Sequence, residues 1–266
     1  MQLINIHRKH TENIGDLFSS PLNYYDFGDE VSSLDIWNDI DTHDFENTNV
    51  IVGGGGLLSH SGFLPSIEKI IKFKKEGIIN KLIFWGVGKN AHFDRTICKK
   101  LGKNYQRNLV YADLVGIRDL DTNLKYVPCP SCKLIADSNF FDKNPKDKVV
   151  YYEHSDFELP KPIPGECLGN SEKDINKVLE FLSSSRVVIT NIYHGVYWSL
   201  LLGKKVFCVP FSTKFDNFKF LNDYYILDKN TTKEEILEDH KPSKKFLNHI
   251  LLVNNNFYDE IKKLLF

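Results

Sequence analysis

The residues able to do chemistry fall at the ends of short apolar runs, and the richest such stretch is Ser184–Phe218, SSRVVITNIYHGVYWSLLLGKKVFCVPFSTKFDNF. His194 is its only ionisable group with a pKa near neutrality, and Lys214 stands in a basic loop beyond the next apolar run. Arg186–Thr190 reads as a buried β-branched strand. Asn191 is expected to cap the helix that follows and Gly203 to end it. The sequence between them is apolar nearly all round, so this helix is expected to be buried. Val206–Val209 is the next strand. A strand feeding a helix leaves N–H groups pointing at the sheet's carboxyl edge, and that edge binds anions. A proton carrier there, with Lys214 on the neighbouring loop, suits a phosphate or carboxylate substrate. The alternative is a core histidine satisfied by one hydrogen bond. The helix start and the adjacent basic loop favour function.

Other strand ends carry comparable groups. The first strand, Met1–His7, leads to the turn Asn13-Ile14-Gly15-Asp16. Asn49–Val52 runs into Gly53, Gly54, Gly55 and Gly56, which let backbone approach a ligand closely. This is not the dinucleotide-binding glycine spacing. Lys81–Trp85 ends in Gly86, Gly88 and Lys89. Arg118 follows another short strand, where it can clamp a carboxylate or phosphate in bidentate fashion or pair with Asp119 or Asp121. Cys129 and Cys132 form a CxxC, but Cys98, Cys167 and Cys208 are isolated, so a structural turn near the cleft is favoured over zinc.

The elements that must position these groups alternate between strand and helix. Helices are expected over Ser66–Glu76, Asp94–Gln106, Ser171–Ser183, Thr232–Glu238 and Ser243–Phe266, and a final short strand over Asp223–Leu227. Ser171 with Asp174 resembles an N-terminal cap. Phe140–Asp147 is the expected linker. The fold class is α/β, with two Rossmann-like doubly wound halves facing a central cleft. The N-terminal half is expected over 1–142 and the C-terminal half over 143–266, the last helix packing back on the first half.

The chain has 266 residues, 42% hydrophobic and 26% charged, with a formal net charge of −1. That balance argues against nucleic acid as a partner. The lysines of Lys69–Lys75, Lys143–Lys148 and Lys241–Lys245 read as solvated faces, with at most a peripheral membrane contact. No secretory signal or transmembrane-length run is evident, and five scattered cysteines are expected of a cytoplasmic protein. Abundant Lys, Asn, Ile and Phe fit an AT-rich bacterial genome.

The ordered set Asn13–Asp16 (NIGD), Gly53–Gly56 (GGGG), Trp85–Gly88 (WGVG), Gly116–Asp119 (GIRD) and Thr190–Val206 (TNIYHGVYWSLLLGKKV), followed by Lys214, resembles the bacterial polysaccharide pyruvyl transferases. The resemblance implies a glycosyltransferase-B-like fold. It also implies transfer of the enolpyruvyl group of phosphoenolpyruvate onto a sugar as a ketal, in capsule or exopolysaccharide biosynthesis. No metal or other cofactor is implied; phosphoenolpyruvate is a co-substrate and a sugar or lipid-linked oligosaccharide the acceptor. By the resemblance His194 contacts the donor and is expected to serve as the acid or to assist phosphate departure, and Arg118 and Lys214 match the family's donor-side cations. Asp16 is the candidate for sugar-hydroxyl contact or for the base, and Asn191, Tyr193, Gly195 and Lys89 are the further expected donor-binding residues. Gly15, Gly53–Gly56, Gly86 and Gly88 form the cleft loops. Ile192 stands where many members carry arginine. That departure keeps open a glycosyltransferase using a nucleotide-sugar, and a non-catalytic glycan- or anion-binding protein is the third reading.

Overall fold

The computed structural model describes residues 2–91, 108–120, 122–141, 148–215 and 224–266. The expected helix Asp94–Gln106 and most of the expected linker, with the 142/143 boundary, lie outside the described residues. Two parallel sheets organise the chain. The first contains β1 (Leu3–His7), β2 (Val31–Asp35), β3 (Thr48–Leu58), β4 (Ile79–Lys89), β5 (Leu114–Ile117) and β6 (Lys125–Tyr126), in the order β2-β1-β3-β4-β5-β6. The second contains β7 (Val149–Glu153), β8 (Glu166–Gly169), β9 (Val187–Thr190), β10 (Lys205–Cys208) and β11 (Tyr224–Ile226), in the order β11-β10-β9-β7-β8. Their strands are short β-branched and aromatic runs, fully buried in β1, β9 and β10, as expected of parallel sheets covered on both faces. Strand order reverses beside β1 in one sheet and beside β7 in the other, and these reversals leave crevices at the carboxyl ends.

The glycine runs differ from expectation. Gly53–Gly56 lie inside β3, and Gly86 and Gly88 inside β4, rather than in loops after shorter strands. Close packing keeps them there. A Cβ on Gly53 would lie 2.3 Å from the Trp85 carbonyl oxygen, and one on Gly54 2.8 Å from that of Ser19.

The helices are α1 (Ile14–Leu17), α2 (Leu64–Lys75), α3 (Cys132–Ala136), α4 (Ile175–Ser183), α5 (Tyr193–Leu201), α6 (Lys233–Leu237) and α7 (Lys245–Leu265). Asp174, not Ser171, caps α4, its side chain accepting from Asn176 N–H. Ile192, not Asn191, occupies the N-cap of α5. Gly203 follows that helix with φ +68°, a conformation open to glycine. Every residue of α5 is buried, as its sequence requires.

Helix α7 has 21 residues, about 30 Å of helix, and joins the two cores. Leu247 and Ile250 pack in the cluster that includes Val150, Val188 and Val206 of the second sheet. Phe257 and Ile261 pack with Leu3, Ile51, Ile83 and Trp85 of the first. Between them Asn254 Oδ1 accepts from Trp85 Nε1 at 2.8 Å.

Candidate active site

The carboxyl ends of both sheets border one cavity of about 480 Å³. Loops after β1, β5 and β10 supply Arg8, Arg118 and Lys214; the turn after β1 adds Glu12 and Asp16. The ends of β7 and β9 supply His154, Asp156, Ile192, Tyr193 and His194. Gly56, His60 and Asn90 complete the wall on the β3–β4 side.

The segment after β1 is fixed from below by Asp35. Its Oδ2 accepts from Arg8 Nη1 (2.6 Å), Lys9 N–H (2.7 Å) and His10 N–H (2.8 Å). Its Oδ1 accepts from the N–H groups of Trp37 and Asn38. Burial alone would raise the Asp35 pKa, but the His10 N–H, Arg8 and Trp37 N–H outweigh it and hold the carboxylate below its usual range. Asn13 then caps α1 by accepting from Gly15 N–H, and Ile14 N–H donates to Asn170 O at the end of β8. This short turn delivers Asp16 to the cavity. Burial raises the Asp16 pKa, opposed by the charges of Lys214, Arg118 and Arg8.

His194 comes from the first turn of α5. It is only 3% exposed, yet its ring forms part of the cavity wall. The ring sits between Trp198 and Tyr193, with centroids at 5.0 and 5.3 Å. Nε2 meets the Cys129 thiol at 3.6 Å, and Nδ1 faces Gly15. Burial first, then Arg118 and Lys214, drive its pKa well below 6.5, so the imidazole is neutral when the cavity is empty of anions.

The CxxC segment underpins this helix. Tyr197 donates to Cys129 O (2.7 Å), Trp198 Nε1 donates to Ser131 Oγ (3.0 Å), and Asn254 Nδ2 donates to Cys132 Sγ (3.4 Å). Both thiols are buried and unoxidised, and burial pushes both pKa values up. Among the described residues no three His, Cys, Asp or Glu side chains are arranged to hold a metal ion.

The cations are equally well anchored. The Arg118 guanidinium lies 3.6 Å over the Tyr193 ring, and its buried Nε has no hydrogen-bond partner among the described residues. Gly88 makes room for it, since a Cβ there would stand 2.6 Å from Arg118 Cγ and Nε. Lys214 follows Thr213, which exchanges hydrogen bonds with Ala91 beyond β4: Thr213 N–H donates to Ala91 O, and Ala91 N–H to Thr213 Oγ1. Burial lowers the Lys214 pKa to about 8, against an opposing pull from Asp16.

The structure therefore brings Asp16, Arg118, Tyr193, His194 and Lys214 together, with Gly56 in the wall and Gly15 beneath the imidazole. Other expected site residues stand outside the cavity wall. Asn191 accepts from His154 N–H and donates to Phe157 O, organising the turn after β7. Gly195 lets α5 approach Thr190 and Tyr152, and Lys89 N–H donates to Asp119 Oδ2. Gly53, Gly54 and Gly86 permit close backbone packing behind the wall, Gly88 makes room for the Arg118 side chain, and Gly55 lies beside Asp16. Arg8, His60, Asn90, His154 and Asp156 line the cavity without having been singled out. Arg8 directly follows a strand that was legible, so the strand-end rule that exposed Arg118 would have found it.

Two parallel α/β sheets with strand ends converging on a polar cavity that holds Arg8, Arg118 and Lys214 define a Rossmann-like protein. The chain belongs to the polysaccharide pyruvyl transferase family, whose model matches residues 5–213. Its fold is similar to that of a functionally uncharacterized protein of Klebsiella pneumoniae subsp. pneumoniae NTUH-K2044. That match has a TM-score of 0.52 at 16% identity and covers 85% of this chain and 93% of the other. No curated protein matches the chain significantly.

Proposed function

We propose that this chain transfers the pyruvyl group of phosphoenolpyruvate onto two hydroxyls of one sugar, forming a ketal and releasing phosphate. The observation that carries the reading is the convergence of Arg8, Arg118 and Lys214 on the cavity that also holds His194 and Asp16. A donor with both a phosphate and a carboxylate needs several cations, and a polyanion in this cavity would relieve the repulsion between Lys214 and Arg118.

In this mechanism a bound donor places negative charge beside His194 and raises its depressed pKa, so the imidazole takes up a proton. His194 then protonates the methylene carbon of phosphoenolpyruvate. The cationic centre formed at C2 is attacked by the first sugar hydroxyl, whose proton passes to Asp16. A carboxylate with a raised pKa is a better base than an ordinary one. Phosphate leaves with the C2–O bond electrons, and the second hydroxyl closes the ketal. The two hydroxyl protons balance the new methyl hydrogen and the proton carried away with phosphate.

The proposal extends to a glycosyltransferase-B-like pairing of the two halves, with a boundary near 142/143 and α7 returning to the first. A bacterial, cytoplasmic site of action on a sugar or lipid-linked acceptor belongs to the same reading. Among the described residues no helix is long and apolar enough to cross a membrane.

Ile192 in the cavity wall favours one second reading, transfer from a nucleotide-sugar. Phosphate release measured with phosphoenolpyruvate and a panel of glycans tests the proposal. Glycan-dependent release that falls about 100-fold or more in His194→Ala supports it. Absence of release, with only a nucleotide-sugar raising the Tm, supports the second reading instead.

A further inference from the structure

One tryptophan stands outside the core beside this cavity. Trp85 and Trp198 are fully buried, whereas Trp37 is 52% exposed. It is nevertheless held firmly. Its backbone N–H donates to Asp35 Oδ1, on the same carboxylate whose Oδ2 holds Arg8. The Arg8 guanidinium lies 5.5 Å from its ring centroid. Phe63 meets it edge-on at 5.2 Å, and His60 lies at 6.2 Å. Gly62 makes room for the indole, since a Cβ there would lie 2.6 Å from Trp37 Cη2. Arg8, His60 and Phe63 all line the cavity, so the indole extends that wall outward.

A large aromatic surface kept in water yet held in one orientation is costly unless something apolar covers it. Pre-organisation by a shared carboxylate also removes most of the ordering cost of binding. The C–H face of a pyranose is an apolar patch bordered by hydroxyls, and the groups beside Trp37 supply the complementary chemistry. The indole offers π surface, while Arg8 and His60 offer hydrogen-bonding nitrogen.

We infer that Trp37, with Arg8, His60 and Phe63, forms the acceptor subsite, the indole stacking on a pyranose ring so that its hydroxyls enter the cavity. This rests on the reading that the cavity's acceptor is a glycan. It adds the surface that selects the sugar and assigns it to the first sheet.

The test uses the full chain without donor, so an error in the identity of the donor does not affect it. Methyl β-D-galactopyranoside, methyl β-D-glucopyranoside and the methyl β-glycoside of N-acetylmannosamine serve as probes. Acrylamide quenching reads Trp37 selectively because the other two tryptophans are buried. At least one pyranoside is expected to shield the fluorescence and to show ring-proton saturation transfer by NMR. Trp37→Ala should weaken that binding about tenfold or more, and Trp37→Phe by no more than about threefold. Both variants should keep the wild-type Tm to within a few degrees, since Trp37 is half exposed and lies outside the core clusters. If none of the sugars shields Trp37, or if Trp37→Ala binds them as wild type does, the inference fails. Donor-dependent phosphate release, measured separately, decides the catalytic reading.

Discussion

Gly15 and His194 meet with no room for a side chain between them: a Cβ on Gly15 would lie 2.1 Å from His194 Nδ1 and 2.7 Å from Cγ. The contact joins the turn after the first strand to the first turn of the buried helix of the second sheet. Cys129 occupies the opposite ring nitrogen, so the imidazole cannot yield by sliding along its own plane. Gly15→Ala should therefore displace the ring and cut turnover about 100-fold, while costing about 1–3 kcal/mol of stability. Steady-state kinetics alongside urea unfolding checks this. Near-normal turnover in a folded Gly15→Ala protein would show that the ring position is not critical.

Lys214 sets an alkaline limit. Its pKa is lowered to about 8, chiefly by burial. The cation is present below that value and lost above it. Donor affinity, read as kcat/KM for phosphoenolpyruvate, should fall as pH rises through about 8. Lys214→Met should lower kcat/KM and abolish this limb, which a pH profile of the two proteins would show.

His7 governs acid stability. Burial holds its pKa down to about 4, against the raising influence of the Asp16 backbone and Asp35. In the unfolded chain it titrates near 6.5. Between those values the unfolded state binds more protons, so stability is complete above about 6.5 and is lost as pH falls toward 4. The loss from this one group is about 3 kcal/mol. Urea unfolding at pH 7 and pH 4.5 should show a smaller difference for His7→Gln than for wild type.

Much of this was legible because parallel sheets impose simple rules. Asp16, Arg118, His194 and Lys214 were singled out as residues following apolar runs, and the cavity lies where such residues collect. The terminal helix was legible from its period, and its return to the first sheet is made by Phe257 and Ile261. What failed depended on tertiary neighbours. Glycines after β-branched residues look like a loop, but Ser19 and Trp85 carbonyls crowd them into the strand. Asn191 has the chemistry of a helix cap, but the turn at His154–Phe157 claims its amide. Strand Glu166–Gly169 is only four residues and follows a proline-rich stretch, so nothing local announced it. Trp37 gave no signal, because its importance lies in what Asp35 places beside it.

Asn254 ties the terminal helix to the first sheet. It is fully buried, accepts from Trp85 Nε1, and donates to Ile250 O and Cys132 Sγ. Asn254→Ala leaves the Trp85 N–H without its partner in an apolar surround. The expected loss is about 1–3 kcal/mol, seen as a lower urea midpoint with an unchanged m-value. A change in m would instead mean that the helix had come away from the sheet.

Donor binding should be coupled to proton uptake. In the empty cavity His194 is neutral, held so by burial and by the charges of Arg118 and Lys214. A phosphate and a carboxylate entering that space reverse the local field and favour the imidazolium. At pH 7 the complex should thus carry more protons than its separated components. Calorimetric titration of phosphoenolpyruvate in buffers of differing ionisation enthalpy should give a slope of about 0.5–1 proton taken up. His194→Gln should remove most of that slope, whereas Lys214→Met should leave it largely intact at pH 7, because Lys214 with a pKa of about 8 is already mostly charged there. Phosphoenolpyruvate that binds wild type with no buffer-dependent enthalpy would mean that the imidazole stays neutral, and the proton for the methylene carbon would then have to come from another group in the cavity.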